Sequence, residues 1–237
     1  IPLYCFDDRN FGETSFGFPK TGNYRAQFLI ESVADLRASF QKLGSNLVVR
    51  RGLPEEIIPA IAEQLKVDRV CYSQEVSAEE KQVEKKLKQA LLAKNIQVNS
   101  YWEATLYLPE DLPFGIEQTP ELYTNFRKQV EKKSEINQSL AAPKQLPPLP
   151  EIEPGEIPTL IDFGLSTPEL DRRGVLKFAG GETEAIERLR KYFWQQDCLK
   201  EYKETRNGML GANYSSKFSP WLALGCISPR YINDQVI

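Results

Sequence analysis

Two serines, a lysine and a third serine stand just ahead of a proline in Ser215-Ser216-Lys217-Phe218-Ser219-Pro220. Hydroxyls, an ammonium group and the free N–H groups of a helix start are what an anion such as phosphate needs. A capped helix start with a solvated lysine explains the same residues, and the local pattern alone favours that plainer account. Glu75 is a second candidate. It follows a strand-like run ending at Ser73, where parallel α/β sheets bind ligands. A carboxylate there can accept two N–H bonds from a flat heterocycle. Read plainly, it is an exposed acid near a helix start. Tyr202 and Arg206 lie four apart and share a face if their stretch is helical. Together they could hold a phosphate, or be an ordinary surface pair.

Other chemistries drop out. There is no histidine, so triads and general bases that rely on imidazole are excluded. Cys5, Cys71, Cys198 and Cys226 are scattered, with no CxxC metal or redox spacing. They read as small apolar residues of a reducing compartment. No metal site is expected. The formal net charge of −3 does not announce a nucleic-acid surface, although a local patch can hide in a near-neutral total. No apolar run is long enough to span a membrane. Trp102, Trp194 and Trp221 are read as core residues.

The elements that must position these groups alternate. Leu3 to Phe6 is strand-like. Asn23 to Leu43 carries Val33, Leu36, Phe40 and Leu43 on one helical face and closes at Gly44. Residues 46–50 are strand-like, and Pro54 opens the next helix. Residues 68–73 and 96–101 are further strands. A helix between them spans 77–93, with Ser77 and Glu80 fitting a capping box. A short helix is expected over 120–132. Alternating β and α predicts an α/β fold: a Rossmann-like parallel sheet with flanking helices. Seven prolines between Pro143 and Pro168 then break regular structure. Beyond them the pattern is helical, over 182–196 and from Ser219-Pro220 and Ser228-Pro229, each read as an N-cap serine before an N1 proline. The division is an α/β domain over 1–133, a proline-rich connector over 134–180, and the opening of an all-helical domain over 181–237. The chain begins inside a strand-like run and stops inside a helix-like one, so both ends read as cut from something longer.

Residues 202–230 (YKETRNGMLGANYSSKFSPWLALGCISPR) resemble the opening of the flavin-binding domain of the photolyase/cryptochrome family, in its DASH branch. Phe16-Gly17-Phe18-Pro19-Lys20-Thr21-Gly22-Asn23 and Gly180-Gly181-Glu182-Thr183 are similar to the same branch, in collinear order. The resemblance implies an FAD cofactor, its phosphates held by Ser215, Ser216, Lys217, Phe218 and Ser219, with Tyr202 nearby and Arg206 close to flavin or DNA. It implies a folate antenna (methenyltetrahydrofolate) with Glu75 against the pterin ring and Gln74 beside it. The implied activity is light-driven electron transfer that splits pyrimidine dimers, mainly in single-stranded DNA. A signalling photoreceptor without enzymatic activity remains the alternative, and another nucleotide-binding α/β module a third. The resemblance also implies a missing first, central strand and a missing remainder of the helical domain. No catalytic residue of the dimer-splitting reaction then lies in this stretch, and the chain alone is expected to bind FAD poorly. The parent protein is expected to be a monomer of the cytoplasm or an organelle.

Overall fold

The computed structural model of the 237-residue chain describes residues 1–169 and 171–236. Among the described residues, eight α-helices and four strands are found, strand and helix alternating as expected up to α4. They are β1 (Leu3–Phe6), α1 (Asn23–Lys42), β2 (Val48–Arg51), α2 (Pro54–Gln64), β3 (Arg69–Ser73), α3 (Ala78–Leu92), β4 (Gln97–Tyr101) and α4 (Tyr123–Lys133), then α5 (Glu182–Arg190), α6 (Tyr202–Thr205), α7 (Ser219–Ala223) and α8 (Pro229–Asp234). Helix α1 stops as its sequence dictates. Gly44 takes φ +89°, its N–H donates to Gln41 O at 3.1 Å, and the Ser45 N–H donates to Phe40 O at 3.0 Å. These paired bonds satisfy carbonyls that the helix end would otherwise leave open.

The strands pair in parallel, two by two. β1 lies beside β2 with Leu3 opposite Val48, and β3 lies beside β4 with Arg69 opposite Gln97. Among the described residues no ladder joins one pair to the other. Each pair has its own core. Phe6, Val33, Leu47 and Val49 pack with Phe163 and Leu165, and Leu87, Leu91 and Ile96 pack with Val70 and Tyr72.

Glu55, at the start of α2, ties the two halves together. Arg9, just after β1, donates from both terminal nitrogens to the Glu55 carboxylate at 2.9 and 2.8 Å. Lys86 of α3 approaches the same carboxylate at 3.5 Å. Burial pushes this carboxyl up, but the Arg9 hydrogen bonds, its own backbone N–H and Lys86 outweigh it and hold the group below its ordinary range.

The proline-rich segment is extended, as its missing N–H donors require, yet it is not a loose spacer. The Val49 N–H donates to Pro154 O at 2.7 Å. Arg37 of α1 donates to Leu47 O, Pro154 O and Gly155 O at 3.0, 3.2 and 2.8 Å. Gly155 has φ +75°, and a Cβ there would stand 2.3 Å from Val49 O. Phe163, stacked on Phe11 at 3.7 Å between ring centroids, then enters the first core.

Two predicted caps do not form. Ser77 precedes α3, but its side chain makes no capping bond. Glu84, one turn on from Glu80, reaches back instead to the Glu75 N–H at 2.7 Å. Ser219 is not an N-cap, because Phe218 already has φ −75° and ψ −13° and the helix begins one residue early. Ser228 does cap α8, accepting from the Arg230 N–H at 3.2 Å.

Candidate functional site

Helix α5 carries the floor of the site. Its buried stripe is Ala185, Arg188 and Leu189, continued by Tyr192 and Phe193 in a π-helical turn over Lys191–Gln195. That stripe packs on Phe28 of α1 and on Phe218, Trp221 and Ile227. Trp221 is fixed further by its indole N–H, which donates to Ala179 O at 2.9 Å. The start of α5 is anchored on α1. Asp35 accepts from the Thr183 N–H at 3.1 Å and from its hydroxyl at 2.7 Å. The neighbouring Glu182 carboxyl is pushed up by partial burial and by the Asp35 charge.

Arg188 is 7% exposed. Its Nε donates to Ser216 O at 2.9 Å. Nη1 donates to Asn213 Oδ1 at 3.0 Å, and Nη2 to Ala212 O at 2.9 Å and Ser215 O at 3.2 Å. Its far side rests on the Tyr192 ring, 5.0 Å from the centroid. The turn over residues 212–218 is therefore wrapped around one guanidinium group.

What the turn leaves free is its donor face. Among the described residues, none of the backbone N–H groups from Ser215 to Ser219 meets a protein acceptor. Lys217 adopts φ +56° and Phe218 follows in the right-handed helical region. Successive residues of opposite hand turn their N–H groups into one concavity, a shape that holds anions. Helix α7 spans only Ser219–Ala223, so the turn itself, more than a helix dipole, makes the site. Phe218 is buried in the floor, so it supplies its backbone, not its ring.

Tyr202 opens α6 and Arg206 closes it from the C-cap position, the Arg206 N–H donating to Tyr202 O at 2.9 Å. They join the turn indirectly. The Thr205 hydroxyl donates to Tyr214 O at 3.1 Å, and Tyr214 packs so closely on Gly208 that a Cβ there would lie 2.2 Å from its ring. Both Tyr202 and Arg206 present exposed side chains and make no direct bond to residues 215–219 among the described residues.

Gln74 and Glu75 lie elsewhere, past the carboxyl end of β3. The Gln74 N–H donates to Tyr101 O, at the end of β4, at 2.7 Å. The Glu75 side chain is exposed, and its carboxyl is pushed up by partial burial, then by Glu80 and Glu84. Lys20 pairs with Glu79 beside this loop, carrying a hairpin tip where Phe16 and Phe18 stack at 6.1 Å, with Phe16 81% exposed. The candidate residues thus fall in two separate places: an acidic loop over the β3–β4 end and a donor-rich turn over α5.

Sequence reasoning missed Arg188 and Asp35. Arg188 was visible as a charge on an otherwise apolar stripe, between Ala185 and Tyr192 at helical spacing. Asp35 left no such sign, being one of two acids on α1, with Glu31. Trp194 is 63% exposed and is not the core residue its type suggested. The π-helical turn rotates it outward, while Tyr192 and Phe193 take the buried places. Among the described residues, no helix is long and apolar enough to cross a membrane.

A family model described as DNA photolyase matches residues 1–151. The chain belongs to the DNA photolyase family. Within that family its likeness is to the DASH cryptochromes. A cryptochrome DASH of Gloeobacter violaceus is 59% identical over 236 residues, covering 100% of this chain and 47% of that protein. The crystal structure of a Synechocystis cryptochrome superposes with a TM-score of 0.94 at 50% identity, covering 99% of this chain and 48% of that one. A class III photolyase from Agrobacterium tumefaciens superposes with a TM-score of 0.78 at 26% identity, over 98% of this chain and 46% of that one. The chain spans about half the length of the curated relatives it matches. The α/β fold with small parallel sheets and flanking helices is that of the photolyase/cryptochrome amino-terminal domain.

Proposed function

We propose that this chain supplies the pyrophosphate-binding turn and the antenna loop of a cryptochrome/photolyase-type FAD protein. The supporting observation is the run of free N–H groups over residues 215–219, held open above a buried arginine. An FAD pyrophosphate matches that donor set: an extended anion meets outward N–H groups, the Ser215, Ser216 and Ser219 hydroxyls and the Lys217 ammonium group. Tyr202, on the neighbouring α6, and Arg206, just after it, would border the same cofactor. Bound there, the flavin would supply light-driven electron transfer to a pyrimidine dimer in single-stranded DNA. The chain's own part is to bind and orient, since the chemistry is the cofactor's.

Glu75 is proposed to accept N–H bonds from the pterin ring of a folate antenna, with Gln74 at its edge. The raised carboxyl of Glu75, set among Glu80 and Glu84, suits a ring rich in N–H donors. The amino-terminal unit over 1–133 then serves the antenna, and 181–237 opens the flavin-binding unit.

The test is a light-driven repair assay on the full-length protein with dimer-containing single strands. Repair that requires bound FAD supports the lyase reading. Flavin binding without repair would assign the protein to light sensing. An absence of flavin binding would reject both.

A further inference from the structure

We infer that Arg188 is the positioning residue of the phosphate turn, aiming two consecutive peptide groups so that their N–H bonds face the anion. The inference rests on the FAD reading above and extends it to a residue outside the turn.

The argument is one of peptide geometry. In a trans peptide the C=O of one residue and the N–H of the next point in opposite directions. Arg188 draws in Ser215 O at 3.2 Å and Ser216 O at 2.9 Å, and the described chain has no cis peptide. The N–H groups of Ser216 and Lys217 must then point away from Arg188, to the outer face. Asn213 Oδ1 and Ala212 O, held by the same guanidinium, fix where the turn begins. A fork of planar donors can collect several oxygens at set angles; an ammonium group cannot.

The charge argues the same way. A buried guanidinium is normally neutralised by a carboxylate. Here every acceptor is neutral, and no carboxylate figures among the charges that act on Arg188. The cation lies behind a turn whose front is all donors. A pyrophosphate on that front would be the missing counter-charge.

The experiment compares FAD with riboflavin, which lacks the phosphates, in the full-length apoprotein. Arg188→Lys keeps the charge and loses the fork. It should weaken FAD at least tenfold and change riboflavin less than twofold. Arg188→Gln should lose more FAD affinity still; if it does not fold, Arg188→Lys carries the test alone. FAD affinity within twofold of wild type in Arg188→Lys would overturn the inference. So would an equal loss for both ligands, which would make Arg188 a packing residue. The wild type tests the turn separately. If it shows no preference for FAD over riboflavin, the phosphate reading fails and takes the role of Arg188 with it. If it shows that preference and Arg188→Lys keeps it, only the role of Arg188 falls.

Discussion

Asp35 of α1 caps α5 across a gap of 148 residues in sequence, its two carboxylate oxygens taking the Thr183 N–H and hydroxyl. This one acid fixes the helix that carries Arg188 onto the α/β unit. The junction is tight: a Cβ on Gly181 would lie 2.6 Å from the Asp35 Cβ. Asp35→Ala should therefore cost about 1–2 kcal/mol, the range for losing a helix cap. The loss should appear in denaturant unfolding of the full-length protein as a lower midpoint at unchanged slope. Asp35→Asn, which still accepts one bond, should recover part of it.

Arg9 and Glu55 give a pH-dependent prediction. The folded-state Glu55 carboxyl lies below its ordinary value. Its contribution is complete above the unfolded-state value and is lost as pH falls through the depressed folded-state value. Arg9→Ala leaves a buried acid with only Lys86 nearby. It should destabilise the fold by about 1–3 kcal/mol at neutral pH. The difference from wild type should shrink once Glu55 is protonated in both. Equal destabilisation at pH 7 and at strongly acidic pH would show that the pair is not the cause.

Much of this organisation was legible in the sequence, and the reasons differ by element. The Gly44 stop and the Pro54 start follow from local sterics, which any chain obeys; of the expected α1 face, Val33 is buried and Phe40 and Leu43 are partly buried, but Leu36 is 40% exposed. The strands were legible because short apolar runs alternated with helical periods. Pairing two by two was not, since register depends on partners far away in sequence. The caps at Ser77 and Ser219 failed for a similar reason. A serine before a helix can cap, but Glu84 and the early helical turn at Phe218 reshaped those two starts. The turn proposed to hold phosphate was legible in its residue types. Its cradle was not, because backbone oxygens leave no trace in the sequence when an arginine collects them.

The connector carries a prediction of its own. Gly155 sits at positive φ with Val49 O where a Cβ would go. Gly155→Ala should cost about 1–3 kcal/mol, combining backbone strain with an overpacked contact. Limited proteolysis should then cut faster within residues 154–165, where the segment lifts from β2. Unchanged cleavage would mean that the close approach at Gly155 is not what seats the segment.

Glu75 can be tested by colour. If folate binds there as proposed, Glu75→Gln in the full-length protein should weaken its affinity about tenfold, the order of one charge-assisted bond lost, seen as lower near-ultraviolet absorbance. FAD content should be unaffected, because the two sites share no residue. In the wild type, antenna binding should weaken as pH falls through the raised Glu75 value, since only the ionised carboxylate accepts both bonds. Loss of FAD together with the folate would indicate general unfolding instead.

Arg37 and Arg188 solve the same problem alike: each grips backbone oxygens of a distant segment, two for Arg37 (with Leu47 O nearer by) and three plus an amide oxygen for Arg188. A joint of that kind places almost no demand on the identity of the residues it holds. Drift at positions 154, 212, 215 or 216 would leave it standing, whereas either arginine could change only by losing the joint. Correlated substitutions between these segments should therefore be faint, and statistical contact maps of relatives would be nearly blind to both joints.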